Sequence, residues 1–570
     1  MPASDNPTGC ALRSLQSYWP LVVPLVWCGV LLAFLRPDAV KARADIPYVL
    51  KWLVYDESDL AALALRGANV HAGRLPGTLS EPDGPGICTV DELKRRLDRP
   101  QVAYTDRFYL EYPTAALALF ELGYLVQSNV VPPPPAVADS QHFGMAFFEP
   151  RTDGERVLWT QFRIAVQCYV VMMAAGLVGF ILVQRKSGGP VWLLILPGAV
   201  YFSLNRFDVL PTLAVAGCFL ALARGRTGSA GALLALGVLL KVFPVLFVPI
   251  LLRYLGVRKG LIFLAAFAGV IFAGLGISWA VLEWESTIGP IRVQMSRELV
   301  ENNWSLYGYV LPLELADWKL VRQALLVGAV LAAVITRPRD LDAVRRRCAL
   351  VLVLFVFIAV YWSPQWFLWF LPLTVPLARR WPVKFAVISL DAANYFSFPI
   401  LFWNLVNLAD DDFGSAVVTG MIYVRAATWI GLAVSLVWDA VRKPDFTGPM
   451  AAYASVAASL RGQFLQTAAA TGMPRGLKWL TAEPLGEPIF VRDRASKNLL
   501  ALVPLLVQFE PLPGSDLEDV PQAREPRAIT AIMTFMDEKW TASGRAIFNL
   551  TPTQVAAQNR YEPVIAASTK

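Results

Sequence analysis

Four places in this chain set polar or ionisable residues inside apolar surroundings, where their chemistry is costly to keep. Asp45, in Arg43-Ala44-Asp45-Ile46-Pro47-Tyr48, follows an apolar run that ends near residue 36. A carboxylate there can take a proton from a sugar hydroxyl as general base. An Asp two positions ahead of a proline is equally a good helix N-cap. Asn205-Arg206-Phe207-Asp208 is a polar vertex between two short apolar runs. Arg206 suits a phosphate, and Asp208 suits a sugar hydroxyl or the arginine itself. The plainer reading has Asp208 capping the next helix and Arg206 reaching for the interface. Lys241, in Leu239-Leu240-Lys241-Val242-Phe243-Pro244, has apolar neighbours on both sides. It meets an anion in a cavity, or pairs with a distant acid such as Asp208. In Tyr361-Trp362-Ser363-Pro364-Gln365-Trp366-Phe367-Leu368-Trp369 the three indoles share a helical face. They stack on a sugar, flank a lipid chain, or form an interfacial aromatic belt. Gln365 is polar and needs a partner.

The elements that must position these residues belong to a membrane protein. The chain has 570 residues, 56% of them hydrophobic and only 17% charged, with a mean hydropathy of +0.48. Soluble proteins run at roughly 45–50% and about 25%. A disordered chain, a nucleic-acid-binding tail and an ordinary cytosolic enzyme are excluded. The net charge of +7 is topological information, since basic residues gather on cytoplasmic loops; no nucleic-acid partner is expected. Cys10, Cys28, Cys88, Cys168, Cys218 and Cys348 are scattered, and the only histidines are His71 and His142. No disulfide framework, metal centre or cofactor is expected. Asp56-Glu57-x-Asp59 and Asp410–Asp412 read as solvated loop rather than cation sites.

Basic clusters punctuate the apolar stretches: Arg185-Lys186, Arg224/Arg226, Arg253/Arg258/Lys259, Arg337 to Arg347, Arg379/Arg380/Lys384 and Arg442/Lys443. Placing all of them inside predicts spans near 19–36, 157–183, 191–204, 208–223, 228–241, 243–254, 259–281, 318–336, 348–361, 365–378, 384–402 and 415–440. That is twelve crossings, with both termini inside and an outer segment over 37–156. Several runs are too short for a full crossing, which takes about 20 residues. Short helices meeting at polar vertices predict a wet cavity in the outer half of the membrane. A stretch after Tyr112-Pro113 reads as a surface helix, and Pro132–Pro135 as a stiff spacer. Residues 1–18 read as a cytoplasmic N-terminus, 19–440 as the membrane domain, 441–476 as a linker with a helix, and 477–570 as a small cytoplasmic α+β domain. In that domain Pro488–Arg492 reads as strand, Leu499–Phe509 as strand or buried run, and Ile529–Trp540 as helix. It has no Gly-rich phosphate loop and no nucleophile motif. The fold class is thus an all-α polytopic membrane protein with a large first outer loop and a small C-terminal domain.

The order of these segments resembles a known group. An outer Asp is followed by Tyr112-Pro113-Thr-Ala-Ala, then Asn205-Arg-Phe-Asp-Val-Leu-Pro, then Ala230-Gly-Ala-Leu-Leu-Ala-Leu-Gly-Val-Leu-Leu-Lys241-Val-Phe-Pro244, then Ser363-Pro-Gln-Trp-Phe-Leu-Trp-Phe-Leu-Pro. Over roughly 19–440 the chain resembles the integral membrane glycosyltransferases of the GT-C superfamily, with glycosyltransferase family 87 and the first mannosyltransferase of glycolipid-anchor synthesis as the nearest matches. The resemblance implies a GT-C-like fold and a polyprenyl-phosphate sugar as donor. It implies a lipid or glycan acceptor on the exoplasmic face, and a hexosyl unit, mannose for preference. It makes Asp45 the catalytic base. Residues 69–105 read as an insertion beside the family spacing, and Asp106, in Tyr104-Thr105-Asp106-Arg107, is a rival base. Lys241 and Arg206 would hold the donor phosphate; Asn205, Asp208, Tyr112, Gln365 and Trp366 would face sugar or acceptor. A single displacement would invert the anomeric carbon and need no metal. The rival class is a flippase or transporter for a lipid-linked saccharide, which inverted repeats would betray; none stands out here. The Ala/Leu/Arg-rich composition suggests a bacterial cytoplasmic membrane.

Overall fold

The computed structural model describes residues 7–34, 153–282, 319–359, 362–402, 412–441, 446–471, 474–494, 498–536 and 539–564, with isolated positions between them. It divides into two compact units, Met1–Ala440 and Val441–Lys570.

The first unit is helical: α1 (Pro7–Phe34), α2 (Asp153–Ser187), α3 (Pro197–Asn205), α4 (Val209–Ala223), α5 (Thr227–Leu240), α6 (Val248–Leu282), α7 (Lys319–Ile335), α8 (Leu341–Ile358), α9 (Trp381–Tyr395) and α10 (Asp412–Val441). Short 3-10 turns lie at Val191–Ile195, Phe243–Phe247 and Pro364–Phe370, and a π-helical stretch, Phe396–Phe402, extends α9. Among the described residues three helices are long and apolar enough to cross a membrane: Val166–Ser187, Phe243–Ala280 and Ala416–Val441. The pair Pro197–Asn205 and Val209–Ala223, bent by 111°, makes a fourth if it counts as one span. Twelve crossings were expected; the shorter apolar helices Trp19–Ala33, Thr227–Leu240 and Leu320–Ile335 fall on three further expected spans. The expected span 365–378 is a set of short helical turns in which every residue from Pro364 to Ala378 is buried. Its apolar character fills the interior of the unit rather than facing lipid.

The path of the helices follows from close contacts at glycines. Gly176 lies against Val209 and Leu210, and Gly179 against Leu213, so α2 and α4 run parallel. Gly217 lies against Leu233 and Gly237 against Ala214, so α4 and α5 are antiparallel. Gly231 lies against Phe263 and Gly274 against Leu239, so the later part of α6 runs parallel to α5. The chain must therefore turn back between them. It does so at Gly256, whose φ of 73° and ψ of −179° are open to glycine alone. Gly260 consequently sits beside Leu252, whereas eight residues of continuous helix would separate them by about 12 Å. The long apolar segment Phe243–Ala280 is thus two arms, in keeping with the expected breaks near 254 and 259.

Several of the basic clusters meet one another. Arg253 Nε donates to Val334 O at 3.1 Å, and Arg337 Nη2 to Tyr254 O at 3.0 Å, beside the Gly256 turn. Arg346 pairs with Asp439 at 2.7 Å, and Asp342 accepts from Arg345 at 2.8 Å. Arg379 and Arg380 reach the same two carboxylates at 3.7 and 3.6 Å. These contacts join the ends of α6, α7, α8 and α10.

The second unit packs α11 (Thr447–Ala470) on a six-stranded antiparallel sheet. The strands are β1 (Leu477–Pro484), β2 (Ile489–Asp493), β3 (Leu499–Pro511), β4 (Arg527–Met536), β5 (Lys539–Phe548) and β6 (Tyr561–Pro563). Their order is β5-β4-β3-β2-β6, with β1 beside the second half of β3. Tyr453, Leu460, Phe464 and Ala468 give α11 one buried stripe, which joins Trp479, Val503, Leu505 and Ile529 in a core. Burial pushes the Tyr453 hydroxyl up to about 12. The helix expected within the linker stretch 441–476 is therefore part of the core of this unit. Its close seat depends on Gly544 (φ 70°), where a side chain would strike the backbone of Thr467 and Ala468. The expected helix Ile529–Trp540 is instead the hairpin of β4 and β5, paired from Ile529↔Phe548 to Met536↔Lys539. The run Ile529–Met533 is buried on both sides of the sheet, and a doubly buried strand shows no alternation to distinguish it from helix.

Candidate active site

The site begins with two breaks in the helical path. α3 ends at Arg206, whose φ of −135° and ψ of 150° are extended, and α4 starts after Asp208. α5 ends at Lys241, also extended at −159° and 134°, before the 3-10 turn containing Pro244. Because α4 and α5 form an antiparallel pair, the second break returns to the first. Lys241 Nζ donates to Asp208 Oδ1 at 2.8 Å and Oδ2 at 2.9 Å. Trp369 Nε1 donates to Asp208 Oδ1 at 2.7 Å. The ammonium lies 5.0 Å from the centroid of Phe207 and 5.5 Å from that of Trp369, an aromatic roof that favours a cation. Phe243 stacks on Trp369 with centroids 4.2 Å apart.

Of the two readings open for Lys241, the structure shows the pairing with Asp208. The Asp208 side chain is fully buried, so its charge is tolerated only with such partners. Asp208 occupies the N-cap position of α4 but makes no side-chain capping bond. Its main-chain carbonyl instead accepts from Thr212 Oγ1 at 2.7 Å.

Arg206 does not reach for an interface: it is 5% exposed, and its guanidinium lies over Phe398 at 5.1 Å. Asn205 is buried and spends an amide hydrogen on Tyr201 O at 2.9 Å. The aromatic segment is a 3-10 helix, so Trp366 and Trp369 eclipse at i and i+3 and lie 5.2 Å apart. Trp366 is 1% exposed and packs on Phe355, which makes it an interior wall rather than an open sugar platform or an interfacial belt. Gln365 is buried, and its Oε1 meets no donor among the described residues. Asp45, Asp106 and Tyr112 lie outside the described residues. So do the acidic loop positions Glu283, Glu285, Glu298 and Glu301, and both histidines. Among the described residues no group of three His, Cys, Asp or Glu could hold a metal ion, and Cys28, Cys168, Cys218 and Cys348 are free thiols.

Two buried charges escaped the sequence reading. Asp391 of α9 accepts from Ala199 N at 2.7 Å and Gly198 N at 3.0 Å, and so caps α3 from across the fold. A side chain at Gly198 would strike that carboxylate. α3 is thereby held at its start by Asp391, while its end presents Asn205 and Arg206. Arg425, in the middle of α10, is fully buried with its guanidinium 3.8 Å above the Trp362 ring. Both residues interrupt long apolar runs, and that interruption was the available signal.

The arrangement offers a polar vertex with buried cations and a buried carboxylate, set in a helical unit of membrane character. That is suited to holding an anionic group of an amphipathic substrate. No curated protein matches the chain. Residues 154–364, which carry both chain breaks, match the model described as glycosyltransferase family 87, and this similarity indicates a membrane glycosyltransferase, which uses a sugar donor and an acceptor.

Proposed function

We propose that the membrane unit moves a hexosyl unit, mannose for preference, from a polyprenyl-phosphate sugar to a lipid or glycan acceptor on the exoplasmic side of a bacterial cytoplasmic membrane. One observation carries this reading: within the stretch similar to glycosyltransferase family 87, two helix breaks are tied together and leave Arg206 beside them at the end of α3. In this scheme Asp45 takes the proton from the acceptor hydroxyl, with Asp106 as the alternative base. The freed oxygen attacks carbon 1 of the sugar. The bond from carbon 1 to the phosphate oxygen breaks, and its electron pair leaves with the polyprenyl phosphate. Arg206 faces the charge that develops there. Lys241, matched by Asp208, fixes the vertex. Attack and departure on opposite faces invert carbon 1. A phosphate is a good leaving group, so positioning and cationic stabilisation carry the step without a metal.

The test is sugar transfer by the full-length protein in proteoliposomes, with several polyprenyl-phosphate sugars as donors. Asp45→Asn is expected to lower turnover by about 100-fold or more. Near-normal turnover with Asp45→Asn and loss with Asp106→Asn would reassign the base. Translocation of the lipid-linked sugar without transfer would replace the transferase reading with a flippase.

A further inference from the structure

We propose that the start of α9, with Arg379, Arg380, Trp381 and Lys384, binds the headgroup of an anionic phospholipid of the surrounding membrane. This site stands apart from the transfer reading, because it lies toward the other end of α4 from Asp208. Arg345 lies over Phe219 at 5.3 Å, and the eleven residues from Asp208 to Phe219 span about 16 Å of helix. Several arginines at this end of the unit are spent on close acceptors. Arg347 donates to Ala333 O at 2.6 Å and to Thr336 Oγ1 at 2.9 Å. Asp342 accepts from Arg345 at 2.8 Å, and Asp439 accepts from Arg346 Nε at 3.2 Å and Nη2 at 2.7 Å. Arg379 and Arg380 come second to the same two carboxylates, at 3.7 and 3.6 Å, beyond hydrogen-bond length. Four guanidinium groups thus share two carboxylates, and among these described residues two positive charges are left over.

The surplus sits where an anion is needed. Both arginines directly precede α9, whose first turn has no acidic residue, and Lys384 lies within that turn. Three cations beside the positive end of a helix dipole repel until an anion joins them. Lys186 adds to them, since Gly189 (φ 94°) sets the turn after α2 against the backbone of Val375 and Pro376, just ahead of the arginines. The neighbouring side chains specify a lipid rather than a soluble anion. Trp381, next to Arg380, is 70% exposed, and Trp438, next to Asp439, is 57% exposed. Phe385, a turn further along α9, and Val434, a turn back along α10, are exposed as well. Exposed indoles at the charged end of apolar helices mark the headgroup level of a bilayer. The Arg379 and Arg380 side chains keep 43% and 37% of their surface. A phospholipid phosphate therefore meets guanidinium donors here, while its chains follow the apolar surface that begins at Phe385.

The experiment measures binding of short-chain phosphatidylglycerol to the full-length protein in neutral detergent, beside phosphatidylcholine of the same chain length and inorganic phosphate. Phosphatidylglycerol is expected to bind about 5-fold more tightly than phosphatidylcholine, or better, and added salt to narrow the gap. Arg379→Gln combined with Arg380→Gln is expected to weaken phosphatidylglycerol binding by about 25-fold, roughly 5-fold for each charge, and to leave phosphatidylcholine binding as it was. Arg379→Lys combined with Arg380→Lys should retain most of the affinity. Lys384→Gln leaves both ion pairs in place, is expected to cost about 5-fold, and stands in if the arginine pair variant does not fold. Equal affinity for the two phospholipids would overturn the proposal, as would wild-type phosphatidylglycerol binding in the arginine pair variant or, in its place, in Lys384→Gln. Inorganic phosphate that displaced the lipid at equal concentration would make this a site for a soluble anion and overturn it too. Loss with Arg206→Gln but not with the arginine pair variant would move the lipid to the vertex, with the same consequence.

Discussion

Arg206 and Lys241 occupy the same kind of position, an extended residue that ends a short helix, yet their surroundings differ. Lys241 places its ammonium on both oxygens of a buried carboxylate and under an aromatic roof. Arg206 meets the ring of Phe398, whose neighbour Trp362 carries Arg425. A buried cation bonded twice to a buried anion locks two segments together. A buried cation over an aromatic ring gains a weaker and less directional attraction. The two looked alike as charges in apolar sequence, yet one ties two segments together through a carboxylate and the other lies against a ring.

Breaking the lock should produce the largest effect. Asp208→Ala leaves Lys241 and Trp369 Nε1 without their common acceptor, and is expected to cost about 3–5 kcal/mol of stability. Asp208→Leu combined with Lys241→Met removes both charges and should recover much of that loss. Unfolding in detergent, followed by denaturant titration, measures both; equal losses for the single and double variants would mean the pair does not act as a unit. Next comes the cap that aims α3. Asp391→Ala strips the acceptors from two buried backbone amides, for roughly 2–4 kcal/mol, and Asp391→Asn should cost less because one acceptor oxygen remains. If Arg206 serves the substrate, Asp391→Ala should also raise the donor KM in the fraction that stays folded. The smallest effect sharpens the comparison from the lock's far side. Trp369→Phe keeps a ring to stack on Phe243 but loses the bond to Asp208, worth about 1.5 kcal/mol, together with part of the indole's packing on Trp366 and over Lys241, and should leave the donor KM unchanged. A donor KM that rose as much as with Arg206→Gln would erase the distinction between the two breaks.

Much of this was legible in the residues. The runs broken at Asn205–Asp208 and at Lys241–Pro244 announced two vertices, because a charge beside a proline between apolar runs cannot continue a helix across a membrane. The return of the chain near 254–259 was marked by its basic residues, and Gly256 carries it out. Elsewhere the signal was ambiguous. Pro364–Ala378 looked like a span, since hydropathy does not separate a lipid-facing helix from a buried one. Ile529–Trp540 looked helical, since a strand buried on both faces loses its period of two. Asp391 and Arg425 were visible as charges within apolar runs, but nothing local named their partners.

The sequence by itself determined the membrane character, the breaks in the helices, the similarity to a glycosyltransferase family and the presence of a separate C-terminal unit. Each follows from composition or from short-range order, which neighbouring residues carry. Only the tertiary structure decided the partners. Asp208 meets Lys241 across 33 residues and Trp369 across 161, and Asp391 reaches Gly198 across 193. Such pairings depend on which helices run side by side and in which direction. Packing sets that direction, through contacts as small as those at Gly176 and Gly231, and no single stretch of the chain contains it.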